Sequence, residues 1–401
     1  MWRRFLCILL IISLIPLSGC WSRKELNDLA LVMALGIDLV PEGYAVTVQV
    51  MNPGESGNQK GGASGGMPVV TYQAMGRTVP DALQRMLSVT PRILYLAHIR
   101  VLVIGEALAR SGVSDALDFI SRDHQLRTDF FLLVAKDSKA SKILEIITPF
   151  EHIPANSLYS SILASHKKWA ATGKVTLQQF ITELERGGSN PVMSGVQLNG
   201  DLQDGGSVNN VDSIRPKTLV QHAGIAVFKK DKLVGWLGES VSKTVNYVLD
   251  EVDSTVSNAP IPGGGLAGFI LTGSDSTLDV RINAQGKPEF TVKLNMQANL
   301  TTIQGRIDMN NPASIEDLQK NIEERFDLRL TQNIREVQQK YGTDIFGFGE
   351  ALHRKYPRQW RTYREHWDDS FRTAKVNVRS NVVIQRIGSV IQPMKREMEE
   401  K

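Results

Sequence analysis

From Phe290 to Leu300 the chain alternates apolar and polar residues without interruption, with Phe290, Val292, Leu294, Met296, Ala298 and Leu300 on one side. A period of two held over eleven positions fits a strand with one buried face and fits no helix. Leu278, Val280 and Ile282 repeat the pattern ahead of a turn at Gln285 and Gly286, so the two segments are expected to pair. Ile315, Leu318, Ile322, Phe326, Leu330, Ile334, Val337 and Tyr341 then step by three or four, the stripe of a long amphipathic helix. Ser314 with Asp317 resembles a capping box at its start, and Gly342 supplies its stop. A further helix near Pro357 lines up Trp360, Tyr363, Trp367 and Phe371, and Val376, Val378, Val382 and Ile384 alternate in a closing strand. This half is therefore expected to be an antiparallel sheet carrying a long helix on one face.

The first half mixes the two periods. Leu29–Ile37 and Tyr44–Met51 read as a hairpin turning at Pro41-Glu42-Gly43, and Val69–Gly76 as a third strand. Asn52–Met67 is rich in Gly and Ser and is expected to be a mobile loop. Val79–Leu87 reads as a helix with Pro80 near its start, His98–Ile104 as a buried strand, and Asp129–Ala135 as another strand. Ser114 is expected to cap a short helix, and three helical stretches follow at 142–148, 158–171 and 177–186. Residues 199–217, NGDLQDGGSVNNVDSIRPK, carry few packing residues and read as a linker. Beyond it, His222–Phe228 and Leu233–Leu237 flank a turn at Lys229–Lys232 as a hairpin, and Tyr247–Val252 reads as helical. The expected fold class is α+β, multi-domain, with antiparallel or mixed sheets flanked by helices. Its parts are an α+β domain at 20–198, the linker, an α+β domain at 218–390 and a charged tail at 391–401.

The N-terminus sets the compartment. Arg3 and Arg4 precede an apolar run from Phe5 to Leu17, with small residues at Ser18 and Gly19. That is an export signal, 1–19, too short at about a dozen apolar residues to span a bilayer that needs roughly 20. Leu17-Ser18-Gly19-Cys20 looks like a bacterial lipobox, so Cys20 is expected to become the N-terminal residue, with diacylglycerol on its sulfur and an acyl group on its nitrogen. An ordinary secretory peptide with a chance cysteine is the plainer alternative. Two or more acyl chains hold a protein stably at a membrane where one does so marginally. Trp21, Arg23 and Lys24 follow, either an interfacial aromatic with two cations suited to anionic headgroups or ordinary polar residues at a chain start.

Cleavage would remove Arg3, Arg4 and Cys7, lowering the formal net charge from +4 to +2 and leaving Cys20 the sole cysteine. No intrachain disulfide and no CxxC metal or redox site is then possible. Near-neutral charge disfavours a nucleic-acid binder. The seven histidines show no H-E-x-x-H pairing, and no G-x-S-x-G elbow occurs. His98 reads as a core or edge histidine, and Asp115 and Asp118 as solvated helix surface. Phe346-Gly347-Phe348-Gly349 imitates a dinucleotide loop but follows a helix and lacks the third glycine. It reads better as a tight connection in which both glycines adopt conformations closed to other residues and both phenylalanines pack inward. No catalytic residue, cofactor or metal is expected.

Several blocks together resemble one family, the lipoprotein C subunits of the nutrient germinant receptors of endospore-forming bacteria, the Ger(x)C family. They are Gly19-Cys20-Trp21, Glu25–Asp28, Gly36-Ile37-Asp38, the run from Tyr95 to Glu106, Ala226–Lys229 with Leu233–Trp236, and Asp344–Glu350 with His353, Tyr356, Pro357 and Trp360. Ser22 stands where many relatives are expected to carry an acidic residue. The resemblance implies three compact α+β subdomains, no catalytic residues, and assembly with an A subunit and a transporter-like B subunit in the spore inner membrane. A solute-binding lipoprotein of a transporter and a lipid-anchored cell-wall hydrolase are the competing classes. The first would show two alternating α/β lobes, which the strict alternation here disfavours.

Overall fold

The computed structural model describes residues 28–387 except 53–66, 124, 152, 262–263 and 306, together with Trp2. Cys20, the tail at 391–401 and nearly all of the Gly/Ser-rich stretch lie outside the described residues.

The first sheet has nine strands: β1 (Leu29–Val40), β2 (Gly43–Met51), β3 (Val69–Gly76), β4 (Ile93–Tyr95), β5 (Val101–Gly105), β6 (Phe131–Ala135), β7 (Val192–Asn199), β8 (Leu219–Lys229) and β9 (Lys232–Leu237). Their order is β3-β2-β1-β5-β6-β7-β8-β9, with β4 beside the start of β1. β1, β5, β6 and β7 run parallel, while hairpins make both margins antiparallel. Parallel neighbours need crossovers, and helices supply them. One face carries α1 (Val79–Arg85), α2 (Glu106–Ser111), α3 (Ser114–Arg122) and, after two others, α6 (Leu177–Glu185). The other carries α4 (Ala140–Leu144) and α5 (Pro154–Lys168). Burial on both faces explains why β5 and β6 read as continuous apolar runs, all five residues of each being buried.

Local chemistry sets the helix ends. Thr78 caps α1 through its hydroxyl, and Thr176 with Gln179 forms a capping box on α6. Ser114 does not cap α3; it is the first helical residue, and its N–H donates to Asp231 in the β8–β9 turn at 3.3 Å. The turn read as KKDK thus serves a helix more than one hundred residues away.

The segment at 199–217 is a packed connection between adjacent antiparallel strands, β7 and β8. It contains a short helix α7 (Leu202–Gly205) and a buried Asn210. The Asn210 amide donates to Thr218 O at 2.9 Å and accepts from Thr218 N at 3.0 Å. Low apolar content marked a loop here, but hydrogen bonding carries the first sheet through it.

The second sheet has the order β10-β11-β12-β13, from β10 (Thr255–Pro260), β11 (Gly265–Ile282), β12 (Pro288–Gly305) and β13 (Lys375–Arg386). The expected hairpin forms in register, with Leu278 opposite Val292 and Val280 opposite Phe290. The sheet is not wholly antiparallel: β13 runs parallel to β12, because the chain returns through helices rather than a tight turn. Those are α9 (Pro312–Lys340), α10 (Phe348–Lys355), α11 (Pro357–Tyr363) and α12 (Trp367–Thr373), and α8 (Glu239–Val248) precedes the sheet. The cap of α9 is Asn311 with Pro312 behind it, not Ser314, so the helix starts a turn earlier than the capping-box reading places it. Gly342 ends it with φ 58°. The aromatic stripe from Trp360 to Phe371 lies on two helices separated by a 3-10 turn, and Trp360, Trp367 and Phe371 are core.

Candidate functional site

Those of the blocks singled out in the sequence that lie among the described residues come together in the fold. The first gathering is at the carboxyl ends of β1 and β5. Asp38, 3% exposed, accepts from Ala140 N at 2.7 Å and Ser141 N at 3.0 Å, so it closes the start of α4. A Cβ at Gly105 would collide with that carboxylate, and one at Gly36 would press on Leu144 and Ala140. Beside it Glu106 accepts from Asp137 N at 2.6 Å, from Trp236 Nε1 at 3.2 Å and from Arg110 at 2.5 and 2.9 Å. Burial raises the Glu106 carboxyl, but these hydrogen bonds outweigh it and hold the group below the usual carboxylate range.

The second gathering joins the two sheets. Asp344 is fully buried and accepts from Phe346 N at 2.9 Å, Gly349 N at 2.8 Å and Trp367 Nε1 at 3.0 Å. Burial lifts its pKa to about 6 against the pull of those donors. Its backbone carbonyl accepts from Asn190 N at 2.7 Å, and Asn190 Oδ1 accepts from Lys230 N at 2.8 Å. Gly188 lies so close to Gly349 and Trp360 that neither glycine has room for a side chain. Tyr341, at the end of α9, donates to Trp236 O at 2.7 Å and fills the space beside Gly235. Trp236 therefore faces Glu106 with its indole and Tyr341 with its carbonyl. Phe346 and Phe348 stack at 5.4 Å, and Phe348 stacks on Phe290 at 4.9 Å.

The third gathering is at the end of α5. His166 lies 3.2 Å from Thr172 O through Nδ1 and 3.3 Å from Glu251 Oε2 through Nε2. The hydrogen bond from His166 lowers the Glu251 carboxyl despite its burial. Asn246 on α8 donates to Ala170 O at 2.8 Å and Thr172 O at 3.0 Å.

Chemically these are closed contacts. The oxygens of Asp38, Glu106 and Asp344 are taken up by backbone N–H groups, an indole or a guanidinium. Among the described residues no group of three or more His, Cys, Asp or Glu could hold a metal. Asp115 and Asp118 are exposed, Asp118 pairing with Arg122 at 2.9 Å. His98 is exposed in a 3-10 turn ahead of β5, edge-on to Tyr95 at 5.6 Å, and is not a strand residue. Gly347 takes the left-handed conformation expected of it, φ 76°, whereas Gly349 is required by close approach and not by its dihedral angle. An open cleft of about 300 Å³ lies between α8, β10 and α9, with Lys243, Tyr247, Asn258 and Arg329 among its walls. That is the lower end of ligand-site size. No described helix is long and apolar enough to cross a membrane. Cys20, the one residue given a role from sequence, lies outside the described residues. Sequence reasoning missed the Asp38 cap and the His166–Glu251 contact, because each pairs residues distant in the chain.

The sequence matches known proteins over nearly its whole length. Residues 22–198 match the family model described as Spore germination protein N-terminal domain, and residues 223–388 match Spore germination B3/ GerAC like, C-terminal. Spore germination protein KC of Bacillus subtilis (strain 168) is 29% identical over 401 residues, covering 98% of each chain. Spore germination protein B3 of the same organism is 25% identical over 366 residues, covering 89% of this chain and 91% of that relative. The crystal structure of the GerBC protein superposes with a TM-score of 0.56 at 19% identity, over 88% of this chain and 96% of the other, a likeness of fold.

Proposed function

The chain belongs to the Ger(x)C family of spore germination proteins, and from that premise we propose that it is the lipoprotein subunit of a nutrient germinant receptor, held on the outer face of the spore inner membrane by lipid on Cys20. In this reading it works as a scaffold and coupling partner for an A subunit and a transporter-like B subunit, without chemistry of its own. The observation that carries it is the match to both family models in order, behind a lipobox at Leu17–Cys20. A lipid tether confines the body to the layer where its partners lie, so that weak individual contacts suffice for assembly.

Mass spectrometry of the mature N-terminal peptide is expected to find acylated Cys20. A Cys20→Ala protein is expected to fold but to leave spores unresponsive to nutrient. A normal nutrient response with that variant would refute the anchoring, and failure of a tagged copy to co-purify a transporter-like membrane protein from spores would refute the assembly.

A further inference from the structure

We propose that the end of the first sheet where β1 begins rests directly on the bilayer surface, through exposed apolar side chains around Arg92. The proposal rests on the Cys20 anchor and deepens it by naming the face that meets the lipid. Only residues 21–28 separate Cys20 from Leu29, so the start of β1 lies within ~32 Å of the lipidated residue even with the chain fully extended. The twelve residues of β1 extend roughly 40 Å. The Leu29 end of the sheet is therefore the part obliged to stay near the membrane, and the far end, with Leu39 and Met75, is not.

What that end presents is suited to headgroups and the acyl boundary. Leu29 pairs with Ile93, and Met51 and Val50 pair with Val69 and Val70, so the ends of β1, β2, β3 and β4 lie side by side. There Ile93 is 59% exposed and Val70 41%, and in the segment leading into β4 Val89 is 58% exposed and Leu87 48%. Single exposed apolar residues are ordinary, but three within residues 87–93, with Val70 as a fourth at the tethered end of the sheet, are not. Arg92 stands among them, exposed and without an ion pair among the described residues. Val70 and Arg92 share the wall of one shallow hollow. Apolar side chains flanking an exposed cation are the composition of a surface that lies on an anionic bilayer without crossing it.

The cysteine content makes the test direct. Of the two cysteines, Cys7 leaves with the signal peptide and Cys20 carries lipid, so an introduced cysteine is the single free thiol of the mature protein. Ile93→Cys and Val89→Cys, with Met75→Cys and Leu219→Cys as controls, are made in the full lipidated protein and labelled with a nitroxide. The proteins are then reconstituted on vesicles containing anionic phospholipid. Labels at 93 and 89 are expected to become severalfold more accessible to oxygen relative to a water-soluble relaxation agent, while those at 75 and 219 stay water-like. Adding Arg92→Glu is expected to return the first pair toward the water-like ratio. Water-like labels at 93 and 89 on protein that still floats with the vesicles would overturn the proposal and leave the anchor standing. Protein that fails to float would sink the anchor and this contact together. Labels that leave water only when the receptor's membrane-embedded partners are added would overturn the lipid assignment in favour of a protein interface.

Discussion

Asp344 has no exposed surface, yet three N–H groups converge on its two carboxylate oxygens. Asparagine cannot replace it, since its amide would turn a donor toward donors. Asp344→Asn is expected to lower stability by about 2–4 kcal/mol in urea unfolding at neutral pH. An unfolded aspartate titrates near 3.8 and this one at about 6, so the folded state keeps the proton longer. Its contribution is complete below the unfolded value and is lost as pH rises toward about 6. The variant should therefore lack this part of the pH slope, and unfolding midpoints across that window, compared between the two proteins, check it. The neighbouring glycines separate two physical causes. Gly349→Ala meets Gly188 backbone and should cost about 2 kcal/mol or more, whereas Gly347→Asn keeps a left-handed residue in open space and should cost under about 1 kcal/mol. Sequence reasoning foresaw glycine at both positions, but for one cause rather than two, because close approach to Gly188 is invisible without the fold.

At the scale of elements, α9 does more than cover a sheet. Asp327 Oδ1 accepts from Ser380 N at 2.7 Å, Glu323 Oε1 from Val382 N at 2.8 Å and Gln319 Oε1 from Ile384 N at 3.0 Å. Four helical residues rise ~6 Å and two strand residues ~6.6 Å, so side chains at i, i+4 and i+8 of a helix keep step with alternate N–H groups of an edge strand. β13 is thereby spared the fate of an open edge, pairing with another chain. The double variant Glu323→Ala with Asp327→Ala is expected to lose about 1–3 kcal/mol and to associate at rising concentration, as sedimentation would record. Asn311→Ala should remove about 1 kcal/mol with the cap of α9. The apolar stripe of α9 was legible residue by residue because its period is local. The polar stripe beside it was not legible, since nothing in the sequence says that a strand fifty residues later will lie against it.

Over the whole molecule, the contacts of Asn190 with Asp344, Tyr341 with Trp236 and His166 with Glu251 tie the two sheets together, and β8 and β9 belong to the first sheet although they follow residues 199–217. A protein divided in that segment should therefore leave β7 and β8 as open edges. Residues 20–198 and 218–390 expressed separately are expected to aggregate or to lack a cooperative transition, while the whole chain unfolds in one, with fluorescence and circular dichroism coinciding. Independent, stable folding of both pieces would show that the boundary suggested by composition is also a physical one. By itself the sequence determined what depends on neighbours a few residues apart: the pairing of β11 with β12, the amphipathic stripe of α9 and the α+β class. Tertiary structure alone decided which carboxylates lose water, that β13 joins its sheet in parallel, and that the two halves interlock. Burial and pairing of that kind join groups a hundred residues apart, as Asp38 and Ala140 are, and local periodicity carries no record of them.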